Sequence, residues 1–132
     1  MPHVVIHYTP NVEADMDALC RELAQVLIAQ KAEDGSPLFP PGGTRVLAYP
    51  AAHYAVADGK QDCAFVYINA RIAEGRSAAS KTKAGDAMME KVKARFASLF
   101  EQKLIGITLQ IDESPGQVYD SKHNNLHPLF KK

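Results

Sequence analysis

The feature that most constrains the fold is an order of elements that occurs twice along this 132-residue chain. Each occurrence has an apolar strand, an amphipathic helix with apolar residues at three- and four-residue steps, and a second strand. The predicted elements are strands at 3–8, Arg45–Tyr49, Cys63–Ile72 and Ile105–Ile111, and helices from about Glu13 to Gln30 and from about Ala78 to Gln102. Two tandem βαβ units are therefore predicted.

The fold class that follows is α/β (α+β), with one four-stranded mixed sheet and two helices on one face. A strand–helix–strand unit normally pairs its strands in parallel through a right-handed crossover, and two such units most simply share one sheet. Asn11 and Ser77 are placed to cap the first and the second helix. We expect a single domain over 1–132, with repeat units at about 2–50 and 63–112 and a C-terminal arm at 113–132.

The sheet face away from the helices is predicted to be covered by another subunit. Strand alternation turns one set of side chains towards the helices: Val66, Ile68, Ala70, Ile72, Ile105, Ile107, Leu109 and Ile111. The opposite face carries Phe65, Tyr67, Asn69, Arg71, Thr108 and Gln110. This set is too aromatic to be left wholly in water, and parallel strand pairs are usually covered on both faces. A homo-oligomer is the expected consequence.

Charge and cysteine content exclude several classes of function. Fifteen basic and fifteen acidic residues balance, which disfavours nucleic acid and anionic membranes as partners. No apolar run approaches the roughly 20 residues that span a bilayer, and no signal segment opens the chain. Cys20 and Cys63 form neither a CxxC motif nor a disulfide framework. We therefore predict a cytoplasmic protein that does not bind membranes.

Pro2 is the first candidate for chemistry. Removal of Met1 would expose a secondary amine on a ring that fixes φ, at the tip of an apolar strand. The ordinary α-amino pKa of about 8 needs only modest lowering to suit a general base near neutral pH. Arg45 and Arg76 each follow a glycine-containing turn, where a guanidinium can bind a carboxylate through two hydrogen bonds. The alternatives are a proline without a role and two solvated arginines.

Metal and cofactor chemistry have little support in the sequence. His3 and His7 share a strand face, and His123 and His127 lie four apart in the arm, but neither pair has an obvious third ligand. The chain has no GxGxxG or GxxxxGK[ST] motif for a nucleotide and no GxSxG motif for a nucleophilic serine. We predict no metal and no cofactor.

A set of short motifs spread over nearly the whole chain resembles one known family. These motifs are Met1-Pro2-His3, Phe39-Pro40, Gly43, Arg45, Ala57-Asp58-Gly59, Asp62, Ala64-Phe65-Val66, Gly75-Arg76-Ser77, Ala84-Gly85, Asn124-Asn125, His127, Leu129 and Phe130. In this order and spacing they resemble the 5-carboxymethyl-2-hydroxymuconate isomerase family of the tautomerase superfamily.

The resemblance implies a homotrimer in which each chain stands for two copies of a shorter tautomerase subunit. It implies that Pro2 is the catalytic base and that Arg45 and Arg76 bind or polarise the carboxylate and carbonyl groups of the substrate. Val66, roughly where a second proline would fall, is internal and has no free amine. One proline site per chain follows.

The reaction implied is conversion of a carboxylated dienol to its conjugated ketone, in the breakdown of homoprotocatechuate. The substrate is then a small carboxylated molecule, and no metal or organic cofactor is needed. Two alternatives stay open. One is dehalogenation or decarboxylation by the same proline, as elsewhere in the superfamily, and the other is a trimeric binding protein without catalysis.

Overall fold

The computed structural model describes residues 2–130, and its elements follow the predicted order. The strands are β1 (His3–Tyr8), β2 (Arg45–Pro50), β3 (Cys63–Ala73) and β4 (Leu104–Ser114), and the helices are α1 (Met16–Ile28) and α2 (Ala78–Gln102). Two 3₁₀ turns, Pro41–Gly43 and His127–Phe130, complete the description. Over these residues, neither helix is long and apolar enough to cross a membrane.

The four strands form one mixed sheet in the order β2-β1-β3-β4. β1 is parallel to β2 and β3 is parallel to β4, as expected for two βαβ units, whereas β1 and β3 are antiparallel. The two units therefore join along the centre of the sheet. As a result, the start of β1 lies at the same end of the sheet as the start of β2 and the last residues of β3 and β4. The predicted fold class is confirmed.

Both helices pack on one face of the sheet and enclose the core. Each contributes a buried stripe at helical spacing, Met16, Leu19, Leu23 and Leu27 from α1 and Ala84, Met88, Val92 and Phe96 from α2. The strands contribute Val4, Ile6, Val66, Ile68, Ala70 and Ile72, all buried. The predicted inward residues of β4 (Ile105, Ile107, Leu109 and Ile111) are partly buried against this core. Burying a side chain of this size stabilises the fold by about 1.5–3 kcal/mol.

The helix caps differ in part from the prediction. Ser77 caps α2, since its hydroxyl accepts a hydrogen bond from the Ser80 N–H at 3.1 Å. The cap of α1 is Asp15, which accepts from the Ala18 N–H at 2.9 Å, so the prediction for Asn11 is wrong. Asn11 lies too far before the first helical residue to reach its free N–H groups. Its amide instead donates to Asp62 and to the Cys63 carbonyl, both at 2.9 Å.

Candidate active site

Pro2 and Arg45 are neighbours at the end of the sheet where β1 and β2 begin. The Pro2 side chain is fully buried. Its carbonyl accepts a hydrogen bond from the Arg45 N–H at 3.3 Å, and the next residue, His3, pairs with Arg45 in the parallel ladder. The fold therefore places a rigid proline beside a partly buried arginine, which brings together two of the three predicted site residues. The fate of Met1 lies outside the described residues.

The second βαβ unit has no equivalent of this pair. The two helix caps, Asp15 and Ser77, lie 62 positions apart, and the same offset relates the buried Val4 and Ile6 to Val66 and Ile68. By this offset the residue equivalent to Pro2 is Ala64, which lies two positions before Val66. Because Phe65 pairs with Gly106 as His3 pairs with Arg45, the second unit has glycine where the first has arginine.

Arg76 joins the end of β3 to the loop that leads into β2. Its Nε and Nη2 both donate to the Leu38 carbonyl, at 3.2 and 3.0 Å, and its Nη1 donates to the Ala73 carbonyl at 3.0 Å. The guanidinium lies 4.6 Å from the centre of the Phe39 ring, a cation–π contact. Burial lowers the pKa of Arg76, but an arginine remains charged. Three of its five N–H groups are committed within the chain, so two remain for a ligand.

A second set of contacts, the Glu33 clasp, fastens the same loop to the start of α2. The Glu33 carboxylate accepts hydrogen bonds from the hydroxyl groups of Ser77 and Ser80. Its negative charge at the helix N-terminus is also favoured by the helix dipole. Hydrogen bonding by Ser77 in particular holds the pKa of Glu33 below its ordinary value. The clasp and Arg76 together fix the loop that ends at Arg45.

We expect Glu33→Gln to destabilise the protein in a pH-dependent way. A carboxyl whose pKa is lowered by folding stabilises the folded state above its ordinary value of 4.5, and this contribution disappears as pH falls through the folded pKa. The thermal midpoint of the variant, followed by circular dichroism, should lie below that of wild type at pH 7 and approach it at acid pH. Glu90→Gln, on the exposed side of α2, is the control. A difference in thermal midpoint between Glu33→Gln and wild type that does not change with pH would contradict this account.

A cleft of about 260 Å³ lies at the same end of the sheet. It is lined by His3, Arg45, Arg71, Ile72, Ala73, Ser114, Gln117, Asp120 and Lys122. The arm thus supplies polar side chains to a cleft whose floor is the sheet. A larger groove of about 640 Å³ runs between α2 and β4 and contains neither Pro2 nor an arginine. Sequence reasoning missed Arg71 and the arm residues as site candidates.

The arm reaches this end of the molecule by a close backbone contact. Its 3₁₀ turn, His127–Phe130, begins against the buried Gly42 of the other 3₁₀ turn. A Cβ at Gly42 would lie 2.9 Å from the Cα and Nδ1 of His127, closer than real side chains approach. Glycine at position 42 therefore allows the arm to pack beside the loop that precedes Arg45.

The remaining candidates for chemistry are dispersed. His3 and His7 are exposed on the open sheet face, and within residues 2–130 no three His, Cys, Asp or Glu side chains are grouped as a metal site would require. Cys20 and Cys63 are free thiols. Burial raises the pKa of the Cys20 thiol, which disfavours the reactive thiolate. The candidates for chemistry that then remain are Pro2 and the arginines at the end of the sheet where β1 begins.

A four-stranded sheet made from two βαβ units, with both helices on one face, also occurs in proteins of known structure. A solved structure described as "Q0 fused 4-OT wild type symmetric trimer" has this fold, with a TM-score of 0.63, 19% identity and coverage of 96% of both chains. The family model for 5-carboxymethyl-2-hydroxymuconate isomerase matches residues 2–130, and the chain belongs to that family.

Two relatives agree with this assignment over nearly their whole lengths. The 5-carboxymethyl-2-hydroxymuconate Delta-isomerase of Escherichia coli is 32% identical over 133 residues, which cover 99% of this chain and 100% of that protein. A crystal structure of a 5-carboxymethyl-2-hydroxymuconate delta-isomerase is 45% identical, with a TM-score of 0.93, and the match covers 100% of this chain and 94% of the other. The protein is accordingly an enzyme, an isomerase.

Proposed function

We propose that this protein converts 5-carboxymethyl-2-hydroxymuconate, or a similar carboxylated dienol, to its conjugated keto form in homoprotocatechuate catabolism. The observation that carries the proposal is the backbone contact between Pro2 and Arg45, because Arg45 also lines a cleft that contains Arg71 and Lys122. The names of the relatives supply the substrate, and the cleft supplies the positive charge that a multiply carboxylated substrate requires.

The proposed reaction is a proton transfer without change of oxidation state. After removal of Met1, the Pro2 nitrogen takes the proton of the 2-hydroxyl group, and the electrons of that O–H bond form the ketone as the double bonds shift. The same proton is then returned to a carbon further along the diene. A neutral amine is needed for the first step, and neighbouring cations with a buried ring favour the neutral form. No metal or organic cofactor takes part.

Arg45 and Arg76 are the proposed substrate-binding residues. Each can hold a carboxylate or draw negative charge towards the developing carbonyl oxygen, which lowers the barrier if the charge is already in place. Arg76 keeps two N–H groups for this purpose, and its contacts with Leu38 and Ala73 hold it rigidly. A preorganised cation stabilises a transition state better than a mobile one does.

We also propose a cytoplasmic homotrimer that covers the apolar part of the open sheet face, beyond the end of the sheet where Arg45 lines the cleft. Large apolar side chains stay exposed on β2 and beyond it, with Leu47 at 41%, Tyr49 at 49% and Tyr54 at 48% exposure. The arm adds Val118, Tyr119, Leu129 and Phe130, all more than half exposed. Patches of this kind usually mark an interface, and the fused-subunit relative is described as a symmetric trimer.

An ultraviolet assay tests the proposed activity directly. The enzyme is mixed with 5-carboxymethyl-2-hydroxymuconate, and loss of the dienol absorbance is compared with the rate in buffer. We expect turnover well above the buffer rate. Dienol loss at the buffer rate alone would refute the assignment, and release of carbon dioxide or halide from matched substrates would favour the decarboxylase or dehalogenase alternative.

Arg45→Ala is expected to raise KM for this substrate about 10- to 100-fold, the equivalent of one lost hydrogen bond to a charged group. Arg21→Ala is the matched control, because Arg21 lies on the exposed side of α1 and pairs with Asp17. Steady-state kinetics of both variants gives the comparison. An unchanged KM for Arg45→Ala would refute its role in carboxylate binding.

A further inference from the structure

Three basic side chains lie in one row across three neighbouring strands, at the end of the sheet where β1 begins. His3 on β1 pairs with Arg45 on β2 and, on its other side, with Arg71 on β3. Side chains of paired residues point to the same face of a sheet, here the face away from the helices. Neighbouring strands are about 4.8 Å apart, so Arg45 and Arg71 begin about 10 Å from one another with an imidazole between them.

The charges of Arg45 and Arg71 have no direct partner among the described residues. Within residues 2–130 neither guanidinium has an ion pair or a side-chain hydrogen bond, whereas Arg21 pairs with Asp17, Arg95 pairs with Glu22 and Arg76 binds backbone carbonyls. Two cations that line one cleft, on the strands either side of β1, create a positive potential that attracts an anion. The row is therefore expected to bind an anion.

The nearest carboxylates are already engaged by other groups. Asp112 lies opposite Arg71 on β4, but its carboxylate accepts a hydrogen bond from the Asn69 amide at 2.7 Å. Asp120 lines the same cleft and pairs with Lys122 at 2.6 Å. Neither acid bridges the two arginines. The row opens instead into the 260 Å³ cleft, which has room for a small molecule.

The separation of the two arginines favours two carboxylates over one. A single carboxylate binds one guanidinium through two parallel hydrogen bonds, so each of the two arginines needs a carboxylate of its own to be bound in that geometry. A compound with a carboxylate at each end of a short carbon chain can engage both. His3 can add one N–H donor between them.

We propose that Arg71, next to His3 and across from Arg45, is a specificity-determining residue that binds a second carboxylate of the substrate. The enzyme then prefers dienols with two or more carboxylates over those with one. The identity of the substrate rests on the proposed function, but the dicarboxylate subsite rests on the arrangement of Arg45, His3 and Arg71.

The kinetic test compares substrates that differ in carboxylate number. For Arg71→Gln we expect KM to rise about 10- to 100-fold with 2-hydroxymuconate or its 5-carboxymethyl derivative, since one charged hydrogen-bonding group is lost. We expect kcat to stay within about twofold and KM for 2-hydroxy-2,4-pentadienoate, which has one carboxylate, to stay unchanged. Lys83→Gln removes one exposed charge from α2 and should change neither. An equal change for both substrate classes, or none, would overturn the proposal.

Calorimetric titration with adipate separates this proposal from the assignment of activity. Adipate is a six-carbon dicarboxylate that cannot react, so its binding does not depend on Pro2 or on Met1. Wild type should bind it at least tenfold more tightly than Arg71→Gln does, and Arg71→Lys should recover part of the difference. Equal affinity, or no measurable binding to any of the three, would overturn the subsite. Adipate binding without dienol turnover would instead reject the proposed function alone.

Discussion

Replacement of Pro2 with alanine is expected to lower kcat/KM about 10²- to 10⁴-fold, the usual contribution of a positioned general base. Proline holds φ near −65°, and its buried ring holds the nitrogen at one place. Alanine leaves a primary amine that rotates freely and removes the ring atoms that pack beneath the site. The measurement is the ultraviolet assay with wild type and Pro2→Ala at equal concentration.

Two controls make this result interpretable. Mass spectrometry must show that Met1 is absent from both proteins, because a retained methionine converts the Pro2 nitrogen to an amide without basicity. Pro10→Ala is the matched variant, since Pro10 is exposed in the turn after β1 and should keep full activity. If Pro2→Ala without Met1 turns over normally, Pro2 is not the base.

Arg76→Ala is expected to reduce kcat/KM about 10²- to 10³-fold, as for loss of one preorganised charge at a transition state. It should also lower the free energy of unfolding by about 1–3 kcal/mol, because the partly buried Leu38 carbonyl loses both of its Arg76 donors. The loss of the cation over Phe39 acts in the same direction. Steady-state kinetics and urea unfolding measure the two effects separately.

Arg76→Lys separates charge from geometry. Lysine keeps the positive charge but cannot donate in a fork to the Leu38 and Ala73 carbonyls. We expect it to recover part of the activity and little of the stability. Arg21→Ala again serves as the control for loss of an arginine. Wild-type kinetics and wild-type unfolding in Arg76→Ala would contradict both the catalytic role and the structural one.

Most of the fold was accessible from the sequence because its local signals agree with its packing. The stripe from Ala84 to Phe96 and the cap at Ser77 predict α2 with the bounds that the structure has. The start of α1 was less well defined, since both Asn11 and Asp15 are good cap formers. Only the position of the first buried turn, at Met16, selects Asp15.

The candidate site was only partly predictable, because the antiparallel register of β1 against β3 is a long-range property. Pro2 and Arg45 could be nominated from residue type and local turns. Arg71 could not, since its place beside His3 depends on a pairing between two residues more than sixty positions apart. The Leu38 carbonyl that Arg76 binds belongs to a loop without periodicity, so no sequence signal identifies that contact.

Because β1 lies between β2 and β3, one of its sides stays unpaired during synthesis until β3 has been translated. β1 needs β3 on one of its edges, and at about 5–20 residues per second the roughly 60 residues between their starts take about 3–12 s to translate. For that interval the backbone edge of Val4–Ile6 that β3 later covers has no partner, and such edges can pair with other chains. The yield of soluble enzyme should therefore depend on translation speed through residues 51–62 as well as on the stability of the finished fold.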